Sequence, residues 1–142
     1  MRADLNPREL RRLIRERQWT QPTSGASKGF IQANLVMMPR EQAFDFLLFC
    51  VRNPKPCPLL DVLEPGRFEP AIAPGADLRT DLPRYRIYVN GRLDREAEDV
   101  SDRAHDGMVS FLLGCSFSFE NAMRAAGLPI RNIEEGKNVS MY

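Results

Sequence analysis

The dipeptide Asn90-Gly91, set between "YRIYV" and "RLDRE", constrains the fold of this chain more than any other local feature. A type I′ turn needs positive φ at both central residues, and Asn-Gly is its preferred pair. Tyr85, Ile87 and Val89 alternate with Arg86 and Tyr88, so a β-hairpin is expected and an all-helical fold is excluded. Helices are signalled as clearly. Asn6 can cap a helix, Pro7 suits its first position, and Glu9 favours its first turn. Leu10, Leu13 and Ile14 then form a narrow apolar stripe, with arginines on what reads as the solvated side. A second helix is expected from Pro39 to Arg52, stopped by Asn53-Pro54. Its apolar residues, from Ala43 and Phe44 to Cys50 and Val51, wrap most of its circumference, which predicts cover on more than one side. Helices beside a hairpin make the fold class α/β, with mixed α and β elements.

The remaining segments follow from local rules. Gln21 to Gly29 is polar and reads as a flexible linker. In "FIQANLVMM", strand geometry puts Ile31, Ala33, Leu35 and Met37 on one face, with Gln32 and Asn34 on the other. Those two amides need partners, either backbone or ligand. Four prolines between Pro54 and Pro65 rule out regular helix and central strand there. Met108 to Leu113 is expected as an apolar helix, followed by a second helix capped by Ser118 with Glu120 near its start. Gly127 and Pro129 stop that helix, and "IRNI" is expected as a short strand.

Charge excludes some partners. Twenty Lys and Arg face nineteen Asp and Glu, for a net charge of +1, which gives no electrostatic reason for nucleic acid or an anionic membrane. No apolar run approaches the roughly 20 residues of a membrane span. The basic N-terminus reads as an amphipathic helix rather than a targeting segment. Three cysteines (Cys50, Cys57, Cys115) without CxxC spacing suit a reducing compartment, so a cytoplasmic location is expected. His105 is the sole histidine, and GxSxG and HExxH motifs are absent.

Three places could carry chemistry. If Asp77 to Asp81 is extended, Asp77, Arg79 and Asp81 project from one face with Arg84 nearby. Such a row is either an exposed ion-pair ladder or a site in which arginine holds a carboxylate and an aspartate moves protons. In "GCSFSFENA" the residues before a helix could offer N–H groups to an anion, with Cys115 activated by the helix dipole. Alternatively Gly114 makes a tight turn, Ser118 caps and Cys115 packs. Cys57, between two prolines, is either a nucleophile or a small buried residue.

The run "QANLVMMPREQAFDFLLFCVRNPKPCPLLDVLEPG" resembles the putative hydro-lyase family that includes the D-glutamate cyclase domain. The likeness continues through "GADLRTDLPRYRIYVNG", "FLLGCSFSFENA" and "AGLPIRNIEEGKNVSMY", and departs in "SDRAHDGMV". It implies a two-lobed α/β fold, with residues 1–28 as an N-terminal helix and linker and 29–142 as the first part of the family domain. Members of the family continue past the position of Tyr142, so a C-terminally shortened chain is expected. The implied activity is carbon–oxygen lyase chemistry, best defined as cyclisation of D-glutamate to 5-oxo-D-proline with loss of water. The resemblance marks these blocks as site material, and the reaction's needs then suggest the roles: Asp81 or Asp77 is expected as base and Glu120 or Glu134 as acid, with Cys115 in the catalytic set. Arg79 and Arg84 clamp carboxylates and Ser116 and Ser118 meet developing charge, while Asn34, Thr80, Tyr85 and Asn138 complete the substrate site. No organic cofactor is implied; a divalent cation on Asp77, Asp81 or Glu135 is the alternative. The expected partner is a small carboxylate substrate, with a homo-oligomer allowed. The rival expectation is a non-enzymatic small-carboxylate binding module or an inactive fragment.

Overall fold

A computed structural model describes residues 4–104 and 106–137. At its centre is a strand, β5 (Met108–Gly114), where an apolar helix is expected from the sequence. Val109, Ser110, Phe111 and Leu112 are all buried, so both faces of β5 are covered. A strand covered on both faces has no period-2 alternation, and its short apolar run cannot be told from a buried helix by pattern. On either side β5 pairs antiparallel with β1 (Ala33–Pro39) and β2 (Leu59–Leu63), in the order β1-β5-β2. The register sets Leu35 opposite Leu112 and Val36 opposite Phe111. Flanked by Pro58 and Pro65, β2 takes an edge position, the place in a sheet that tolerates flanking prolines.

Each face of the sheet has its own packing. On one, a helix, α2 (Arg40–Arg52), lies across the strands, with Ala43, Phe46 and Leu47 against Val109 and Phe111. The Phe46 and Phe111 rings meet edge to face at 4.9 Å between centroids, a favoured aromatic geometry. On the other face, Leu63, Leu78 and Leu112 pack with Leu35 and Met37. Leu35 and Met37 also touch a neighbouring cluster of Tyr85, Val100 and Ala104. The full wrapping expected of α2 is not found. Only Ala43 and Cys50 are buried, while Phe44 is 71%, Val51 63% and Phe49 52% exposed.

The hairpin forms as β3 (Tyr85–Val89) and β4 (Arg92–Ala97), with φ of 50° at Asn90 and 76° at Gly91. A register shift between Ile87 and Tyr88 changes the pairing of its far end. Helix α1 (Pro7–Arg15) begins where Asn6 Oδ1 accepts from the Arg8 N–H at 3.0 Å. Its stripe, Leu10 and Ile14, packs with Trp19 and Ala26 into a small separate core. The expected flexible linker is therefore a packed return loop. Ala26 is fully buried, its carbonyl accepts from the Leu5 N–H at 2.9 Å, and the Lys28 N–H donates to Asp4 at 3.0 Å.

The C-terminal part departs twice more from expectation. Helix α3 (Phe117–Ala125) is preceded by Ser116 at the cap position, with no side-chain cap bond, and Ser118 is inside the helix rather than at its cap. Residues expected as a strand form a one-turn helix, α4 (Arg131–Glu134), entered from an extended Ile130. Four residues with two apolar positions carry too little period to separate the two states. Among the described residues no helix is long and apolar enough to cross a membrane.

Candidate functional site

An open groove of about 990 Å³ runs between α1, the loop at 20–32, β1 and the β3–β4 hairpin. Of the residues expected at a site, Asn34, Asp81, Arg84 and Tyr85 line it; Asp77, Arg79 and Thr80 do not. Arg11, Arg86, Glu96 and Arg103 also line it, and the sequence reading did not select them.

Hairpin geometry supplies the charged wall. Arg84 Nη1 and Arg86 Nε each reach a different oxygen of Glu96, at 3.1 Å in both cases. An unbroken two-residue hairpin would set Arg86 opposite Arg95. The bulge moves Arg86 opposite Glu96, converting a like-charge pair into an ion pair. One carboxylate then faces two guanidiniums, both largely exposed, which leaves positive charge over for an anion. This wall could have been found by counting from Asn90-Gly91 only if the bulge were known.

The stretch 77–81 is a tight turn and not the extended row expected: the Asp77 carbonyl accepts from both the Thr80 and Asp81 N–H groups. Its carboxylates consequently point to different partners. Asp77 accepts from Arg79 Nε at 2.9 Å and Nη2 at 2.7 Å, and from the Arg79 N–H at 2.9 Å. Those bonds to Arg79 hold the Asp77 carboxyl below its ordinary range, against a smaller opposing effect of burial. Arg79 also stacks on Phe68, 4.5 Å above the ring centroid. Asp81 is buried, with Arg15 Nε at 2.5 Å and Nη2 at 2.6 Å on its two oxygens. The Asp77 N–H, the Thr80 hydroxyl and, at 3.6 Å, Arg11 complete its surroundings. The arginines of α1 are thus not merely a solvated face. No local sequence signal links Arg15 to a residue 66 positions away.

Tyr85 pins the same turn. Its hydroxyl donates to the Leu78 carbonyl at 2.9 Å and accepts from the Leu82 N–H at 3.2 Å. Burial pushes its pKa far above the ordinary phenol value, so the group stays protonated.

The second expected cluster lies at the end of β5. Gly114 approaches Pro58 so closely that an added Cβ would stand 3.1 Å from the proline ring. Cys115 Sγ contacts the Gln32 carbonyl at 3.5 Å, and Gln32 lines the groove. Glu120 does not line the groove, and Glu134 borders a separate shallow depression with Arg124 and Ile133. His105, Asn138 and the side chain of Ser118 lie outside what is described. Among the described residues no three His, Cys, Asp or Glu side chains are gathered to hold a metal ion. Asp77 and Asp81, two of the three residues considered for a cation, already face guanidiniums.

The model of the D-glutamate cyclase family matches residues 109–142, which begin within β5. A protein called "putative hydro-lyase" from Syntrophobacter fumaroxidans is 61% identical over 138 residues, 96% of this chain and 53% of that protein. By sequence, the chain is similar to the putative hydro-lyases along nearly all of its length. Proteins of the same description from Stutzerimonas stutzeri and Geobacillus kaustophilus are 60% and 56% identical, over 98% and 99% of this chain. The chain spans about half the length of the hydro-lyase relatives it matches: 53% of the Stutzerimonas protein and 54% of the Geobacillus one.

Proposed function

We propose that this chain forms part of a hydro-lyase that removes water from a small carboxylic acid bound at the Arg84–Arg86 wall of the groove. The observation that carries the reading is the unequal charge of that wall, two exposed guanidiniums on one carboxylate. A substrate carboxylate can take the guanidinium N–H donors that Glu96 leaves unused. Asn34, exposed on the neighbouring strand, supplies an amide to orient it.

D-glutamate is the specific substrate this reading favours, by way of the family model and the two carboxylates of that molecule. Its cyclisation forms a bond from the amine nitrogen to the γ-carboxyl carbon and breaks a carbon–oxygen bond to release water. The amine loses a proton and the departing oxygen gains one, so a base and an acid are required. Glu96 is the carboxylate beside the clamp and takes the proton. Asp81, the base favoured on sequence grounds, is only 3% exposed with both oxygens held by Arg15 and acts as the anchor of α1 instead. The Glu96 side chain, by contrast, is 37% exposed at the groove. Cys115 adjoins the groove through Gln32 and is the group we assign to the departing oxygen.

The test is incubation with D-glutamate, following 5-oxoproline by chiral chromatography, with the Syntrophobacter relative assayed in parallel. Turnover by both, with KM raised about tenfold in Arg84→Ala as expected for loss of one charged contact, supports the reading. Calorimetric binding without turnover in either protein would favour a carboxylate-binding module. Neither binding nor turnover in either protein would refute the site.

A further inference from the structure

Helix α2 has two apolar sides, and only one of them has a partner among the described residues. Ala43, Phe46, Leu47 and Cys50 follow helical spacing and face the sheet, where Phe46 and Leu47 join the cluster around Phe111. Phe44, Leu48 and Val51 follow the same spacing about a third of a turn around the helix, while Phe49, stacked on Phe46, borders the opposite edge of the sheet-facing side. Phe44, Val51 and Phe49 are each more than half exposed. Isolated exposed apolar residues are ordinary, but an aligned stripe of aromatic and aliphatic side chains on one helix marks a contact surface. A helix apolar on both sides belongs between two layers, and among the described residues no second layer covers this one. The sheet beneath is similarly open, since β1 and β2 each have one strand partner among the described residues.

The occupant follows from length. Relatives at 54–61% identity are matched along nearly all of this chain, which accounts for only 53–54% of them. We infer that the outer stripe of α2, centred on Phe44, Leu48 and Val51, is the docking surface for the part of the hydro-lyase polypeptide that this chain does not span. That part supplies the second layer over α2 and makes it an internal helix. The polar residues at the stripe's border, Glu41 and Asp45, give the contact a charged rim.

The experiment replaces the aligned stretch of the Syntrophobacter relative with this chain and compares the chimera with the chain alone by hydroxyl-radical footprinting. Oxidation of Phe44 is expected to fall about tenfold in the chimera, as an exposed side chain becomes core. Phe44→Glu should leave the melting temperature of the chain alone unchanged and lower that of the chimera by about 4 °C or more. Equal oxidation of Phe44 in both proteins would overturn the inference. So would protection that appears in the chain alone as its concentration rises, which would assign the stripe to a second copy. Should the chimera not fold, the native relative serves: its helix aligned with α2 must resist oxidation, and labelling there refutes the proposal.

Discussion

Replacing Asp81 with asparagine removes the charge that ties α1 to the rest of the fold. The side chain is 3% exposed and receives two bonds from Arg15, one from the Asp77 N–H and one from Thr80. Removing one member of a buried charged pair costs about 3–5 kcal/mol. Arg15 keeps 42% of its side-chain surface exposed and can recover water, so a cost of about 2–3 kcal/mol is expected. Arg15→Ala should cost less, about 1–2 kcal/mol, because Arg11 and two uncharged donors remain at the carboxylate. The double variant should be less destabilised than the sum, with a coupling of about 1–2 kcal/mol. Urea unfolding read by fluorescence measures this well, because the sole tryptophan, Trp19, sits in the α1 core. That core joins the main body through polar contacts, including Arg17 with Glu98 and Arg15 with the Gly75 carbonyl. Fluorescence should therefore move to lower urea than circular dichroism in Asp81→Asn. A coupling near zero, or coincident shifts of the two probes, would refute the latch.

Three other outcomes are expected. Phe111→Ala, at a fully buried ring in the central strand, should cost about 3–5 kcal/mol and shift both probes together. Asp77 has a lowered folded pKa owing to Arg79, so its contribution is present above the ordinary value of 3.8 and lost as pH falls through the folded value. Arg79→Ala should move the acid unfolding midpoint to higher pH, and an unchanged midpoint would contradict the pairing. Cys50 is buried and its thiol pKa is raised chiefly by that burial, so a thiol reagent at pH 8 should label Cys57 and Cys115 and reach Cys50 only on unfolding.

What could be read from the sequence was whatever local chemistry decides. The Asn90-Gly91 turn and the Asn6 cap need only neighbours in sequence, and both form. Helix α2 forms where its pattern predicts, yet its outer side is exposed rather than covered, because composition reports what a helix can bury and not whether a partner is present. Strand β5 is hidden from the sequence for a complementary reason: two covered faces erase the alternation that identifies a strand. At the candidate site, Arg84 and Asn34 were named from motif and pattern and do line the groove. Arg86 and Glu96 depended on a bulge, and Arg15 with Asp81 on a contact that chain folding alone creates.

The placement of β5 between β1 and β2 also dictates an order of events during synthesis. Ala33 pairs with Gly114, so about 80 residues must leave the ribosome before β1 finds its partner. At about 5–20 residues per second, β1 waits for several seconds with its apolar side chains unpaired. During that interval β2, α2 and the hairpin are all made without the strand that joins them. The chain is therefore most exposed to misassociation before residue 108 appears, and a product stalled just upstream of β5 would carry the hairpin but not the three-stranded sheet.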